Sequence, residues 1–219
     1  MQLAIRAVQQ TPCPASGACS PATSFTIQIP FEFNPNSITR ATLRIKEGGA
    51  VFATVQLNGV TDSVNIINTC DQTGIYLSLA DVIPASVCAP MVMHARGPLV
   101  SFSAPAVTGE TLVVWAYGLG APVHAPPEPC CVSPDQLPTA TQPVDVNLMY
   151  TGPGGFPQRR LAQMPASWAG MVGAGLYQVQ FVVPSLPSDL GPCGFTTGNL
   201  RVRVSAPMSA DSASICAQP

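Results

Sequence analysis

The stretch LYQVQFVVP, Leu176–Pro184, decides the fold of this chain, because it alternates apolar and polar residues until it reaches a proline. Such alternation is typical of a β-strand with one buried face, and proline ends a strand because it has no N–H for the ladder. A similar stretch, FTIQIPFEF, stands about 150 residues earlier at Phe25–Phe33. We therefore predict the same strand in two domains.

The residues that follow each copy extend this repeat. SITRATLRIKEGG (Ser37–Gly49) and TTGNLRVRVSA (Thr196–Ala206) both lead into an alternating run with arginine at the outward positions. The repeat thus spans a strand, a loop and the next strand, and its long period favours two immunoglobulin-sized units over a short-repeat solenoid. We predict one domain over residues 1–88 and a second over residues 89–219.

Alternating runs separated by proline and glycine predict an all-β chain of two tandem β-sandwich domains with long loops. The predicted strands are Leu3–Gln9, Phe25–Phe33, Ala41–Lys46, Val51–Leu57, Ser63–Asn68, Met91–His94, Thr111–Tyr117, Val144–Tyr150, Leu176–Val183 and Leu200–Ser205. Proline or glycine stands in nearly every gap between them, and the chain has 24 prolines and 18 glycines. The longest predicted loops are Gly118–Pro143 and Thr151–Gly175.

The composition restricts the classes of partner. Charged residues make up only 9% of the 219 residues, against about 25% in typical soluble domains, and the net charge is −2. No basic stripe is present to neutralise phosphates, so nucleic acid is not expected as a partner. No apolar stretch reaches the roughly 18 residues of a membrane-spanning helix. Because few charges keep the molecules apart, self-association is expected.

The even number of cysteines indicates a disulfide framework and an oxidising compartment. The eight are Cys13, Cys19, Cys70, Cys88, Cys130, Cys131, Cys193 and Cys216. Their spacing suggests that the first four and the last two form local pairs: Cys13 with Cys19, Cys70 with Cys88, and Cys193 with Cys216. We expect an extracellular protein, secreted or at the cell surface, from which a leader or a larger upstream portion is missing in this chain.

The adjacent Cys130 and Cys131 leave several pairings open. They form a bridge with each other, pair elsewhere in the chain, or link two chains. A metal site with His124 is a further alternative, but no spacing typical of metal ligands supports it. We therefore expect neither a metal nor a cofactor.

Two longer segments carry a resemblance to a known family. They are CAPMVMHARGPLVSFSAPAVTGETLVVWAYGLG (Cys88–Gly120) and AGMVGAGLYQVQFVVPSLPS (Ala169–Ser188). They resemble the uncharacterised C-terminal domain of large secreted proteins of Solibacter-type acidobacteria, which P-x-x-x-G-E-x-L-V-x-x-A-x-G-L-G opens and G-L-Y-Q-V-x-x-x-V-P closes. The resemblance implies an immunoglobulin-like β-sandwich at the end of an exported protein, and it implies no catalytic residues.

The two copies differ in length. The second has Met91–Tyr150 before its closing strand, whereas the first has only Met1–Ser24, so the first domain lacks its opening strands. Unpaired strand edges and exposed apolar grooves are unfavourable. Three solutions are open: a missing piece of chain, a smaller domain closed by its own loops, or a strand donated by another copy. Strand donation builds a polymer. The residues expected in such assembly are Phe25, Ile27, Ile29 and Phe31.

These observations favour a secreted structural or adhesive protein, with β-strand complementation into an extracellular filament as one form. The alternative is a module that binds carbohydrate or another ligand through the long loops of the second domain, with Trp168, Arg159 and Arg160 as candidate residues. Trp168 is also typical of a tryptophan that covers the end of a sandwich core. An enzyme is not expected, because the sequence places no nucleophile and carboxylate with either histidine.

Overall fold

The computed structural model of the chain describes eleven segments. They are residues 5–11, 22–27, 40–47, 49–58, 61–69, 88–120, 139–140, 142–154, 158–173, 175–194 and 198–219. All regular secondary structure in these segments is β-strand, so the prediction of an all-β chain is confirmed. The strands divide into two compact units, β1–β4 and β5–β15, which we treat separately.

Each of the ten predicted strands overlaps an observed strand, but Phe25–Phe33 does so only at residues 25–27, and its other residues lie outside the described segments. The strands are β1 (Ile5–Thr11), β2 (Ala22–Ile27), β3 (Arg40–Glu47), β4 (Ala50–Asn58), β5 (Asn65–Ile66), β6 (Val92–His94), β7 (Ala106–Val107), β8 (Thr111–Tyr117), β9 (Asp145–Thr151), β10 (Gln158–Pro165), β11 (Trp168–Gly173), β12 (Leu176–Val182), β13 (Leu200–Ser205), β14 (Ala210–Ile215) and β15 (Ala217–Gln218). The prediction of one long loop over Thr151–Gly175 is wrong, because most of that range forms β10 and β11.

The first unit contains two antiparallel hairpins, β1 with β2 and β3 with β4. In the second hairpin Leu43 lies opposite Val55, and Arg44 lies opposite Thr54. Successive side chains of a strand point to opposite faces. The β3–β4 hairpin therefore has one apolar face and one polar face.

The second unit contains two larger antiparallel sheets. The four-stranded sheet has the order β10-β9-β13-β14, and the five-stranded sheet has the order β11-β12-β8, with β5 and β6 both on the remaining side of β8. A short parallel pair of β15 with β7 is separate from them. The two sheets contribute to one hydrophobic core, an arrangement consistent with a β-sandwich.

The core follows from the alternation that the sequence shows. On β12, the side chains of Tyr177, Val179 and Phe181 are buried between the sheets, while those of Gln178 and Gln180 lie on the outer face. The same period places the side chains of Leu200, Val202 and Val204 in the core from β13, with the arginines between them exposed. The prediction that arginine occupies the outward positions of this strand is confirmed.

An edge of the five-stranded sheet is interrupted at Trp115. Ile67 donates its N–H to the Trp115 carbonyl over 3.0 Å, and Trp115 donates its own N–H to the Met91 carbonyl over 3.0 Å. Between these two contacts the chain leaves the sheet through a stem, in which the Thr69 N–H bonds to the Ala89 carbonyl over 2.8 Å. Strands β5 and β6 are thus two parts of one edge strand with an insertion between them.

Hydrogen bonds to polar side chains join this edge to the four-stranded sheet. Val64 donates its N–H to Ser209 Oγ over 2.8 Å, and Ile66 donates its N–H to Asp211 Oδ2 over 2.8 Å. The Ser209 hydroxyl in turn donates to the buried carboxylate of Asp62. Thr61–Thr69 therefore group with the second unit, whereas the sequence-based boundary at residue 88 assigned them to the first domain.

The side chain of Tyr177 ends in a hydrogen bond from its hydroxyl to the Gly120 carbonyl, and burial raises the pKa of this tyrosine above its ordinary value of 10. Because the pKa is higher in the folded state, the neutral form stabilises the fold fully below about pH 10, and this contribution is lost as the pH rises further. We expect Tyr177→Phe to lower the free energy of unfolding by about 1 kcal/mol at pH 7 through the lost hydrogen bond.

We also expect the stability of Tyr177→Phe to fall less steeply than that of the wild type between about pH 10 and pH 11, since the variant has no phenol to ionise there. Urea unfolding of both proteins at each pH measures the difference. Equal losses of stability in the two proteins would contradict this role of Tyr177.

Candidate functional site

A disulfide fixes the end of the chain to the segment before β13. Cys193 and Cys216 are bonded, with their Cα atoms 5.4 Å apart, as their spacing predicts. The buried side chain of Asn199 reinforces this closure: its Nδ2 donates to the Gly191 and Ala217 carbonyls over 2.8 and 2.9 Å, and its Oδ1 accepts the Ala217 N–H over 2.8 Å. Sequence analysis did not single out Asn199, because these partners lie up to 18 residues away.

The remaining cysteines are described only in part. Cys88 is disulfide-bonded. Its pairing with Cys70 stays a prediction. The stem supports this pairing, because its hydrogen bonds join Thr69 and Ala89, which are the sequence neighbours of Cys70 and Cys88. Five of the eight predicted disulfide cysteines lie outside the described residues: Cys13, Cys19, Cys70, Cys130 and Cys131.

His94 has a hydrogen-bond partner at each ring nitrogen. Its Nδ1 lies 2.6 Å from Glu110 Oε2, and its Nε2 lies 3.1 Å from the Ala104 carbonyl. Glu110 also accepts the Val107 N–H over 2.5 Å. Because both ring nitrogens have partners, His94 links β6 to the turn before β8 and has no free ring nitrogen for a substrate. In the part of the chain that the structure describes, no three His, Cys, Asp or Glu residues are placed to hold a metal ion.

The predicted ligand residues Arg159 and Arg160 lie on β10, at the edge of the four-stranded sheet, and not on a loop. Arg159 forms an ion pair of 2.5 Å with Asp189, and its pKa is raised, first by a hydrogen bond with Tyr150 and then by the charges of Tyr150 and Asp189. Arg160 donates to the Gln163 side chain. Both guanidinium groups are exposed and bond to nearby residues.

Trp168, the third predicted ligand residue, lies on β11 in the other sheet. Arg159 is six residues before the end of β10 at Pro165, which places it about 20 Å along the strand from the connection to β11. The structure therefore does not bring the two arginines and Trp168 into one site. The indole of Trp168 is half-buried and lies on the outer face of the five-stranded sheet, opposite Gln180 on β12.

This outer face carries a second tryptophan that sequence analysis did not assign to a site. Trp115 on β8 pairs with Gln178 on β12. Its indole Nε1 is buried and has no hydrogen-bond acceptor among the described residues. The buried side chains of Ile67, Met91 and Val113 lie outside the main core. The alternation of TLVVWAY and LYQVQFV places Trp115 and the glutamines on an outward face, but it does not show that the two strands are neighbours.

In the first unit, the side chains on the apolar face of the β3–β4 hairpin are partly exposed. Val55 is 45% exposed on this face, and Phe52, at the irregularity of β4, is 74% exposed. Of the predicted assembly residues, Phe25 and Ile27 lie on β2, where they pair with β1. Ile29 and Phe31 lie outside the described residues.

Comparison of the chain with protein-family models, with curated proteins and with solved structures found no match. Within the described segments, no helix is long and apolar enough to span a membrane.

Proposed function

We propose that this chain is an extracellular structural or adhesive protein that associates with its own copies through the β3–β4 hairpin. The observation that carries the proposal is the partly exposed apolar face of this hairpin, with Val55 on it and the exposed Phe52 at the irregularity of β4. Leu43, Ile45 and Leu57 lie on the same face and are only half-buried. Burial of such a face against a second copy removes apolar area from water, at about 25 cal/mol per Å².

The hairpin also offers open backbone edges. Among the described residues, β3 and β4 pair only with each other, so each has one edge without a partner strand. An isolated two-stranded hairpin is only marginally stable in water, and a third strand makes it a sheet. Strand addition from a second copy thus supports β-strand complementation, and a net charge of −2 offers little repulsion to it.

Two edges of the second unit, at β10 and β11, are less suited to strand addition. Strand β10 carries two exposed arginines, a register shift between Arg160 and Ala162, and a proline at its end. Such features are typical of protected edges. Strand β11 is bridged at Gly170 by Thr139, and Ala140 donates its N–H to the Ala169 carbonyl over 3.0 Å. We therefore favour the first unit over these two edges as the place of self-association.

The proposal includes an immunoglobulin-like architecture for the second unit. Its sheets follow the A-B-E-D and C-F-G orders of that fold in chain order, with β6, β8, β12 and β11 in one sheet and β9, β13 and β14 in the other. Strand β10 occupies the additional position beside β9. The disulfide departs from the antibody pattern, since Cys193 and Cys216 do not join the B and F positions, β8 and β13.

Export of the protein is supported by the same architecture and by the cysteines. The bonded Cys193–Cys216 pair and the bonded Cys88 are expected in an oxidising compartment. The resemblance to the domain of secreted acidobacterial proteins points the same way. Two tandem domains, with the first one incomplete, remain the organisation that we propose.

A pair of substitutions on β4 tests the proposed interface. We expect Val55→Lys to weaken self-association at least tenfold, because a charge placed in a buried apolar contact is strongly unfavourable. Thr54→Lys adds the same charge one residue away on the polar face and is expected to leave the association unchanged. Sedimentation velocity of the untagged proteins over a concentration series, without reductant, measures both.

Equal self-association of the two variants would contradict the proposed interface, whether both associate like the wild type or both associate more weakly. Circular dichroism of each variant checks that the β-sheet content is retained.

A further inference from the structure

The outer face of the five-stranded sheet combines two tryptophans with two glutamines in neighbouring register. Trp168 lies opposite Gln180, and Gln178 lies opposite Trp115, so β12 supplies an amide beside each indole. We propose that this face binds a neutral polysaccharide chain, a function separate from the self-association of the first unit.

The spacing of the tryptophans suits an extended ligand. They lie two strands apart, on β11 and β8, and their registers on β12 differ by two residues. With about 4.8 Å between strands and about 3.4 Å per residue, the backbone positions are about 12 Å apart. A ligand that contacts both indoles must therefore be a chain of several rings and not a single small ring.

Two polar side chains on this face are available to a ligand. The side-chain amides of Gln178 and Gln180 are partly exposed and make no hydrogen bond to the described residues. The Trp115 side chain is also partly exposed, but its Nε1–H is buried and gives a ligand no contact. Sugar hydroxyls both donate and accept, so one sugar chain can bond to both amides while its rings lie on the indoles.

The charge of the face selects among ligands. The outward residues of β8 and β12 are Thr111, Val113, Trp115, Tyr117, Leu176, Gln178, Gln180 and Val182, none of which is charged. Aromatic faces with a few fixed polar groups bind ligands that are apolar on one side and polar at their edge. A sugar ring has that character, with C–H bonds on its face and hydroxyls around it. Phosphorylated and acidic ligands find no cation on these two strands.

Affinity gel electrophoresis tests the proposal, with separate gels that contain a soluble β-glucan, a mannan, a xylan or heparin. We expect at least one of the three neutral polysaccharides to retard the wild type and heparin to have no such effect. Trp168→Ala and Gln178→Ala should each raise the dissociation constant at least tenfold. Asn147→Ala removes an amide from the outer face of the four-stranded sheet. This variant should bind as the wild type does.

Three results overturn the inference: no retardation by any neutral polysaccharide, retardation by heparin alone, or equal binding by Gln178→Ala and Asn147→Ala. The first of these is also the result expected if the face binds a protein. Gln178 is outside the core, so its variant gives an answer even if Trp168→Ala fails to fold. Repeating the gels with Val55→Lys separates this binding from self-association.

Discussion

Replacement of Phe181 by alanine is expected to lower the free energy of unfolding by about 3–5 kcal/mol. The Phe181 ring has no exposed surface and lies in the core shared by the two sheets. Its removal loses the transfer free energy of the ring and leaves a cavity that the sheets fill only in part. This is a large share of the roughly 5–15 kcal/mol that stabilises a typical domain.

The next residue of the same strand supplies the control. Val182 is 45% exposed on the outer face, and Val182→Ala should change the stability by less than about 1 kcal/mol. Urea unfolding followed by tryptophan fluorescence compares the two variants. If Phe181→Ala does not fold, Phe181→Leu is expected to show a smaller loss of the same origin. Equal effects of Phe181→Ala and Val182→Ala would contradict the inward orientation of Phe181.

Removal of the Cys193–Cys216 disulfide is expected to lower the free energy of unfolding by about 3 kcal/mol. The bridge closes a loop with a sequence separation of 23 residues, which restricts the unfolded chain, and in the folded state it holds the last strand beside Asn199. The double substitution Cys193→Ser with Cys216→Ser removes it while Cys88 keeps its own bond.

Ser214→Ala is the matched control for the disulfide, since Ser214 is exposed on the strand that ends before Cys216. Thermal and urea unfolding without reductant compare the three proteins. The Ser214 variant should unfold as the wild type does. An unchanged midpoint for the double variant would show that the bridge does not constrain the unfolded chain and would contradict its stabilising role.

Much of the fold could be predicted from the sequence because alternation with period two is a local property. The run LYQVQFV alternates over most of its length, and the residues that the alternation predicts to face inward are the ones buried in the core. Strand β10 was missed because QRRLAQMP does not alternate: an irregularity between Arg160 and Ala162 breaks the period. The short β7 and β15, of two residues each, are too brief for a periodic signal.

The candidate site was less predictable because it depends on which strands become neighbours. Arg159, Arg160 and Trp168 are close in the sequence, yet β10 and β11 belong to different sheets. Conversely, Trp115 and Gln178 are far apart in the sequence and meet across the β8–β12 pairing. Cysteine spacing did predict the Cys193–Cys216 bond, because that bridge is local.

We propose that the first unit brings copies of this chain together. Sedimentation equilibrium of the untagged protein without reductant, over about a hundredfold range of concentration, tests it most directly, because mass action makes the degree of association depend on concentration. We predict an average mass that rises with concentration above that of one chain. The mass of a single chain at every concentration would contradict the claim.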